Sequence, residues 1–262
     1  MKRVFIFLGL TFAATWTFWW LLAWGSRTGT LTTSDPVFLI IQVLGGTAPT
    51  AFAFVAVAWT PECGSMHEFL RRVFRTNVPI RFYASAVLVP LLIGIAGLGT
   101  AGLIFDDFFS GHSVEPLYML VPAFLVSIVL GGFEEVGWRG VLQPAVTERR
   151  GLVVGNFAIG ALWSVWHLPM FFTTGLIHNQ ASFLTYSVAG IGYSAFMTWL
   201  YHRTRSVVPC ILFHAGINAV GSVGLAVPLA EQSAHAVQAF LVLTAGLVLL
   251  FTRAGQTHPV EP

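Results

Sequence analysis

The stretch LYMLVPAFLVSIVLGGFEEVGWRGVL, residues 117–142, decides the class of fold. It begins as a continuous apolar run long enough to cross a bilayer, because a membrane helix needs about 20 such residues. It then places Glu134, Glu135 and Arg139 among glycines and aromatic residues. Each ionised group at the middle of a bilayer costs roughly 2.5–3.5 kcal/mol on insertion scales. The stretch therefore predicts a transmembrane helix whose charged side chains are paired, protonated or in contact with a wet cavity.

The composition of the whole chain is that of a membrane protein. Hydrophobic residues make up 56% of the 262 residues and charged residues only 9%, whereas an average soluble domain has about 25% charged residues. An ordinary soluble domain is excluded, no nucleic-acid partner is expected, and two cysteines without a C-x-x-C spacing exclude a disulfide framework. We predict an all-α fold, in which residues 1–262 form a single polytopic membrane domain of about eight transmembrane helices. The eight apolar stretches lie near residues 4–24, 37–59, 82–105, 117–142, 152–171, 182–201, 207–227 and 235–252.

The basic residues predict the orientation of these helices. Thirteen residues are Lys or Arg; Arg27 lies in an odd-numbered connection and Arg139 inside a span. The others precede the first span or follow the second, fourth, sixth and eighth: Lys2, Arg3, Arg71, Arg72, Arg75, Arg81, Arg149, Arg150, Arg203, Arg205 and Arg253. By the positive-inside rule both termini are cytoplasmic. The preference for Arg over Lys suggests a GC-rich bacterial source, and hence a multi-pass protein of the bacterial inner membrane.

The connection after the second span contains a helix of its own. Ser65 followed by Glu68 is a capping-box pattern, and apolar residues then recur at helical spacing with arginines on the other face. This pattern predicts a short amphipathic helix lying in the cytoplasmic interface, anchored by its charge to anionic lipid.

Two later spans supply partners for the charged residues of 117–142. Glu135 and Arg139 are four residues apart and share a helix face, so a salt bridge between them is the simplest pairing, whereas Glu134 is rotated by about 100° and needs another partner. His167 lies in the fifth span, and His214 and Asn218 share one face of the seventh. A carboxylate, two imidazoles and a carboxamide from three helices can converge only inside the bundle.

These motifs resemble those of the CAAX-processing and bacteriocin-immunity proteases, the CPBP or Abi family, which includes the Ras-converting enzymes. That family is marked by Glu-Glu-x-x-x-Arg, Phe-x-x-x-His and His-x-x-x-Asn or Asp on successive helices of an eight-helix core. The first motif is present as Glu134, Glu135 and Arg139, and the third as His214 and Asn218. The second is Trp163-x-x-x-His167, with Trp in place of Phe, which keeps an aromatic wall but changes the pocket. The resemblance covers about residues 117–222, which we expect to form the catalytic core.

The resemblance implies an intramembrane endopeptidase with six catalytic residues. Glu134 and His167 would activate water, His214 and Asn218 would hold and polarise the scissile carbonyl, and Glu135 with Arg139 would support the site. The alternative is a zinc site with Glu134, His167 and His214 as ligands and water in the fourth position. We prefer the metal-free form because the chain has no H-E-x-x-H helix. The substrate would be a membrane-associated peptide or protein, prenylated or not.

Two other classes of function remain open at the level of sequence. A proton-coupled transporter would use the same ionisable residues as a relay, and it predicts helices broken near the middle of the membrane and similar halves, neither of which the sequence suggests. A non-catalytic immunity or scaffold protein would tolerate the loss of Glu134. The remaining histidines fall in connections, at span ends or in the tail, and we expect none of them in a site: His67, His112, His178, His202, His235 and His258.

Overall fold

The computed structural model describes residues 1–252, and within them the chain is helical, without strands. Arg253 and His258, which the sequence placed beyond the last span, lie outside the described residues. The helices are α1 (Lys2–Thr28), α2 (Pro36–Gly46), α3 (Ala48–Ala58), α4 (Met66–Val73), α5 (Ile80–Ile104), α6 (Leu120–Leu130), α7 (Glu135–Gly137), α8 (Gln143–Trp166), α9 (Phe183–Thr204), α10 (Val208–Ser222) and α11 (Gln232–Phe251). Short 3₁₀ and π segments join several of them. The predicted all-α membrane bundle is confirmed.

Five helical stretches are long and apolar enough to cross a membrane: Lys2–Thr28, Pro36–Ala58, Ile80–Ile104, Leu117–Phe172 and Gln232–Phe251. The fourth has 56 residues, which at 1.5 Å per residue is far longer than one crossing of a roughly 30 Å hydrocarbon core. It turns at Gly151, whose φ of 78° is non-helical, and so contains the predicted fourth and fifth spans. α9 and α10 correspond to the sixth and seventh. The number of crossings, eight, stays a prediction.

The predicted second span, 37–59, is not one continuous helix. It breaks at Thr47 between α2 and α3, just before Pro49. A proline has no N–H for the carbonyl four residues earlier, which here is that of Gly45, and the Thr15 hydroxyl of α1 donates to this carbonyl instead at 2.8 Å. The break therefore leaves a backbone acceptor that a neighbouring helix satisfies.

The predicted fourth span, 117–142, is also interrupted, and it continues beyond its predicted end. α6 ends at Leu130, a 3₁₀ segment covers Gly132–Glu134, and a π segment covers Trp138–Leu142. The helix then runs on to the turn at Gly151. π segments within helices are frequent at functional sites, and this one carries Arg139. Two broken helices correct the expectation, drawn from the sequence, that none would be broken near the middle of the membrane.

Two other predicted bounds differ for local reasons. The fifth span, 152–171, ends as an α-helix at Trp166 and continues as a 3₁₀ segment, Leu168–Phe172, that contains a proline. The seventh, 207–227, ends at Ser222, and Gly224 with φ of 76° turns the chain away.

The capping box of the connection helix α4 is present. Ser65 Oγ accepts from Glu68 N at 3.2 Å, and Glu68 Oε2 accepts from Ser65 N at 2.9 Å. The prediction placed the apolar face in the lipid interface. Phe69 and Val73 of that face are instead buried in the main hydrophobic core, with 0% and 1% exposure. α4 is thus packed onto the bundle, where Phe69 contacts the ring of Phe54 edge to face.

Candidate active site

The broken segment after α6, the end of α8 and the middle of α10 bring the candidate residues together. The five ionisable ones are buried: Glu134, Glu135, Arg139, His167 and His214. Asn218 is one turn beyond His214 and is exposed on the wall of an internal cavity. The convergence inside the bundle that the sequence predicts is therefore present.

Glu135 uses both carboxylate oxygens to hold two other side chains. Oε2 accepts from Arg139 Nη1 at 2.6 Å, which is the predicted salt bridge, and Oε1 accepts from His214 Nδ1 at 2.7 Å. Arg139 also donates through Nη2 to Ser194 Oγ of α9 at 2.9 Å. With both oxygens engaged and no exposure, Glu135 is placed to support other residues rather than to activate water.

Glu134 lies on the other side of the broken helix and keeps one oxygen free. Its Oε2 accepts from Trp163 Nε1 at 3.0 Å, while within residues 1–252 no protein group donates to Oε1. The side chain is only 6% exposed, but it lines the cavity. A carboxylate with one anchored oxygen and one open oxygen suits a group that takes a proton from water.

Glu134 and His167, the two residues expected to activate water, are not hydrogen-bonded to each other. Nδ1 of His167 is bonded instead to the carbonyl of Trp163 at 2.9 Å. Because a carbonyl can only accept, Nδ1 carries the proton, and Nε2 of the neutral ring has a lone pair. Glu134 and His167 therefore do not contact each other through a hydrogen bond. Both are bonded to Trp163, Glu134 to its indole N–H and His167 to its backbone carbonyl.

His214 and Asn218 both reach toward Gly131, where the chain leaves α6. A Cβ built on Gly131 would clash with Asn218 Nδ2 and lie 3.2 Å from His214 Nε2. Only glycine leaves this space for both side chains. Since His214 Nδ1 is bonded to Glu135, its Nε2 is the nitrogen that is left for a substrate.

The cavity has a volume of about 490 Å³ and separates the six candidate residues into two groups. Glu134, His167, His214 and Asn218 line it, whereas Glu135 and Arg139 do not. The first four can therefore contact a bound peptide or water, and the other two lie behind them.

The cavity extends toward one end of the bundle, which we call the open end: residues 173–181, 223–231 and the start of α2. Hydrogen bonds hold its connections together, from Gln232 Nε2 to the carbonyl of Gln180 and from Arg27 Nε to the carbonyl of Phe172. On α9 and α11 the lining residues go no further from this end than Tyr193 and Gln238. The site is therefore reached from the open end.

The comparison with known proteins agrees with this geometry. Residues 115–220, which contain all six candidate residues, match the family model of the type II CAAX prenyl endopeptidases, Rce1-like. Over these residues the chain is similar to the Rce1-like endopeptidases. A relative named CAAX prenyl protease 2, from Methanococcus maripaludis, is 25% identical over 223 residues, which cover 79% of this chain and 80% of that protein. The predicted resemblance to this family and the predicted class of enzyme, a membrane protease, are confirmed.

The Rce1-like match also decides how the broken helices are interpreted. Discontinuous helices near the middle of a membrane are typical of transporters as well, and both breaks contribute to the cavity through Gly46, Thr47 and Glu134. In this chain the breaks place backbone groups and the Glu134 carboxylate on the cavity wall. The transporter alternative loses its support.

The zinc alternative finds no ligand set among the described residues. Within residues 1–252 no three His, Cys, Asp or Glu side chains are placed to hold one metal ion. Glu134 is turned to Trp163 and His214 to Glu135. As placed, the residues proposed as ligands do not fit a zinc ion, and no step is assigned to one.

Three residues of the site were missed at the level of sequence. His178 and His235, which we expected outside any site, line the cavity, and the ring of His178 stacks on that of His167 with centroids 6.1 Å apart. Tyr186 packs against both of these rings at 5.6 and 5.5 Å. His178 lies in a connection, where nothing in the sequence signals that the chain folds back over the end of α8.

Proposed function

We propose that this protease hydrolyses a peptide bond near the C-terminus of a prenylated, membrane-associated substrate, with water activated by Glu134 and His167. The observation that carries the proposal is the free oxygen of Glu134, in a cavity that His167, His214 and Asn218 also line. The name of the relative from Methanococcus maripaludis supports the choice of a prenylated substrate. The aromatic and aliphatic side chains among the lining residues suit a hydrocarbon chain beside the peptide.

In the proposed reaction, a water molecule lies between Glu134 Oε1 and the lone pair of His167 Nε2. Glu134 takes one proton from this water as the water oxygen attacks the scissile carbonyl carbon. The C–N bond then breaks as this proton passes from Glu134 to the leaving nitrogen. The new carboxylic acid loses its remaining proton, which the released amine takes up, so the products are a carboxylate and an ammonium group.

The negative oxygen of the tetrahedral intermediate needs donors, and His214 Nε2 and Asn218 Nδ2 provide them. Since His214 donates a hydrogen bond from Nδ1–H to Glu135, an Nε2 that also donates requires the imidazolium form. The Glu135 carboxylate balances that charge, and Arg139 fixes the carboxylate from its other side. This division explains why adjacent glutamates have different partners.

The substrate would approach from the open end, because the lining of the cavity leads there. If the orientation predicted from the basic residues is correct, the open end faces away from the cytoplasm. The side of the membrane from which the substrate enters therefore depends on the orientation of the protein. Site-directed labelling of the open end from each side of the membrane determines which side it faces.

The experiment measures hydrolysis of an internally quenched peptide with a farnesylated cysteine by purified protein in nanodiscs. We expect Glu134→Gln and His167→Ala to abolish cleavage while the protein stays folded. Glu148→Gln, an exposed carboxylate on α8, is the matched control and should cleave at the wild-type rate. Near-normal activity of Glu134→Gln would overturn the mechanism, and equal rates with and without the farnesyl group would overturn the prenylated substrate.

A further inference from the structure

Trp163 contacts several of the proposed catalytic residues, although the mechanism above gives it no role. Its indole Nε1 donates to Glu134 Oε2 at 3.0 Å. Its ring meets the rings of His167 and His214 edge to face, with centroids 5.0 and 5.4 Å apart. One side chain thus adjoins three of the four candidate residues that line the cavity.

The indole is held in place from several sides. Its ring stacks on Tyr186 of α9 with centroids 6.2 Å apart. A Cβ on Gly190, also of α9, would lie only 3.3 Å from Cζ3 of the indole, so this glycine gives the ring its room. Trp163 is 6% exposed, and its direction is therefore fixed before a substrate arrives.

We infer that Trp163 is a positioning residue: its indole N–H holds Oε2 of Glu134 so that Oε1 faces the water and the scissile carbonyl. A carboxylate without this bond would rotate and share its two oxygens between several directions. A misplacement of about 1 Å in a reacting group can cost roughly 10²-fold in rate. The inference rests on the proposed role of Glu134.

Two replacements at Trp163 remove the N–H. Trp163→Phe keeps an aromatic ring, and 3-benzothienyl-alanine at position 163 keeps the whole bicyclic shape with sulfur in place of N–H. We expect both to lower kcat by roughly 10–10²-fold with KM for the farnesylated peptide almost unchanged. A purely structural role would instead leave the isosteric variant at the wild-type kcat.

The matched control is Trp138→Phe. Trp138 is also fully buried, but within residues 1–252 its Nε1 has no hydrogen-bond partner. The same loss of an indole N–H should leave kcat within about twofold, since no carboxylate is released.

The outcomes separate this inference from the proposed function. If Glu134→Gln is inactive while the benzothienyl variant has the wild-type kcat, the positioning role is wrong and the role of Glu134 stands. If Glu134→Gln is active, the proposed mechanism fails, and the positioning role fails with it. Should Trp163→Phe not fold, the isosteric variant alone decides.

Discussion

The two ends of the bundle differ in what their polar groups do. At the basic end, formed by residues 59–81, 143–150 and 203–207 with the start of α1, charged groups satisfy the backbone. Arg3 donates to the carbonyls of Thr60 and Gly64 at 2.7 Å, and the hydroxyl of Ser206 donates to the carbonyl of Arg75 at 2.6 Å. In the cavity that leads to the open end, Oε1 of Glu134 and Nε2 of His167 and of His214 have no hydrogen-bond partner among residues 1–252 and are available to substrate or water.

The packing between the two ends explains this difference. Trp138 and Cys210 are each fully buried between the site and the basic end, and Phe69 of α4 is fully buried within the basic end itself. No residue of the basic end lines the cavity. The charges that predict orientation and the charges that carry chemistry therefore belong to different regions, and changes in one should leave the other intact.

The largest effect after loss of the water-activating pair is expected at the carbonyl-binding residues. His214→Ala and Asn218→Ala should each slow cleavage by roughly 10²–10³-fold, the cost of one oxyanion donor. The double variant should cost less than the product of the two, because both serve one oxygen. The assay is peptide cleavage with and without a chelator. Stoichiometric zinc that is lost in His214→Ala would contradict the metal-free mechanism and reassign His214 as a ligand.

A smaller effect is expected at Gly131. The methyl group of Gly131→Ala would displace the Asn218 amide, so kcat should fall by roughly 10–10²-fold. Gly99→Ala is the control, because a Cβ there meets nothing within 4 Å. Comparable loss in the two variants would show that an added methyl acts through general helix packing and not through the site.

The smallest effect is expected at the basic end. Ser65→Ala removes the cap of α4 and should lower the free energy of unfolding by about 0.5–2 kcal/mol, with kcat unchanged. Thermal unfolding in nanodiscs and the peptide assay measure the two quantities. A loss of kcat larger than that of Gly131→Ala would mean that the two ends are coupled.

Local rules predicted the parts of this site that depend on helix geometry. The salt bridge between Glu135 and Arg139 follows from their i,i+4 spacing, and the capping box of α4 from Ser65 and Glu68. The membrane bundle was also predictable from local sequence, because the length and composition of an apolar run are enough to predict a spanning helix.

Features that depend on contacts between helices were not predictable in this way. Pro49 by itself does not predict the break between α2 and α3. The break also depends on Thr15 of α1, which donates to the carbonyl of Gly45 that the proline leaves without a partner. The indole of Trp163 and the carboxylate of Glu134 are 29 residues apart and meet through packing. His178 reaches the site because a connection folds back over the end of α8. Sequence spacing carries no information on these distances.

The most direct test of the difference between the ends is chemical blockage of each. A bulky, membrane-impermeant maleimide is applied to the Ser222→Cys variant in a Cys63→Ala background, and separately to the wild type. In the wild type the reagent labels Cys63, which is exposed at the basic end, because Cys210 is buried. Ser222 lines the cavity, so its labelling should abolish cleavage of the farnesylated peptide, whereas labelling of Cys63 should leave the rate unchanged. Full activity of the labelled Ser222→Cys protein, or inactivation through Cys63, would contradict access from the open end.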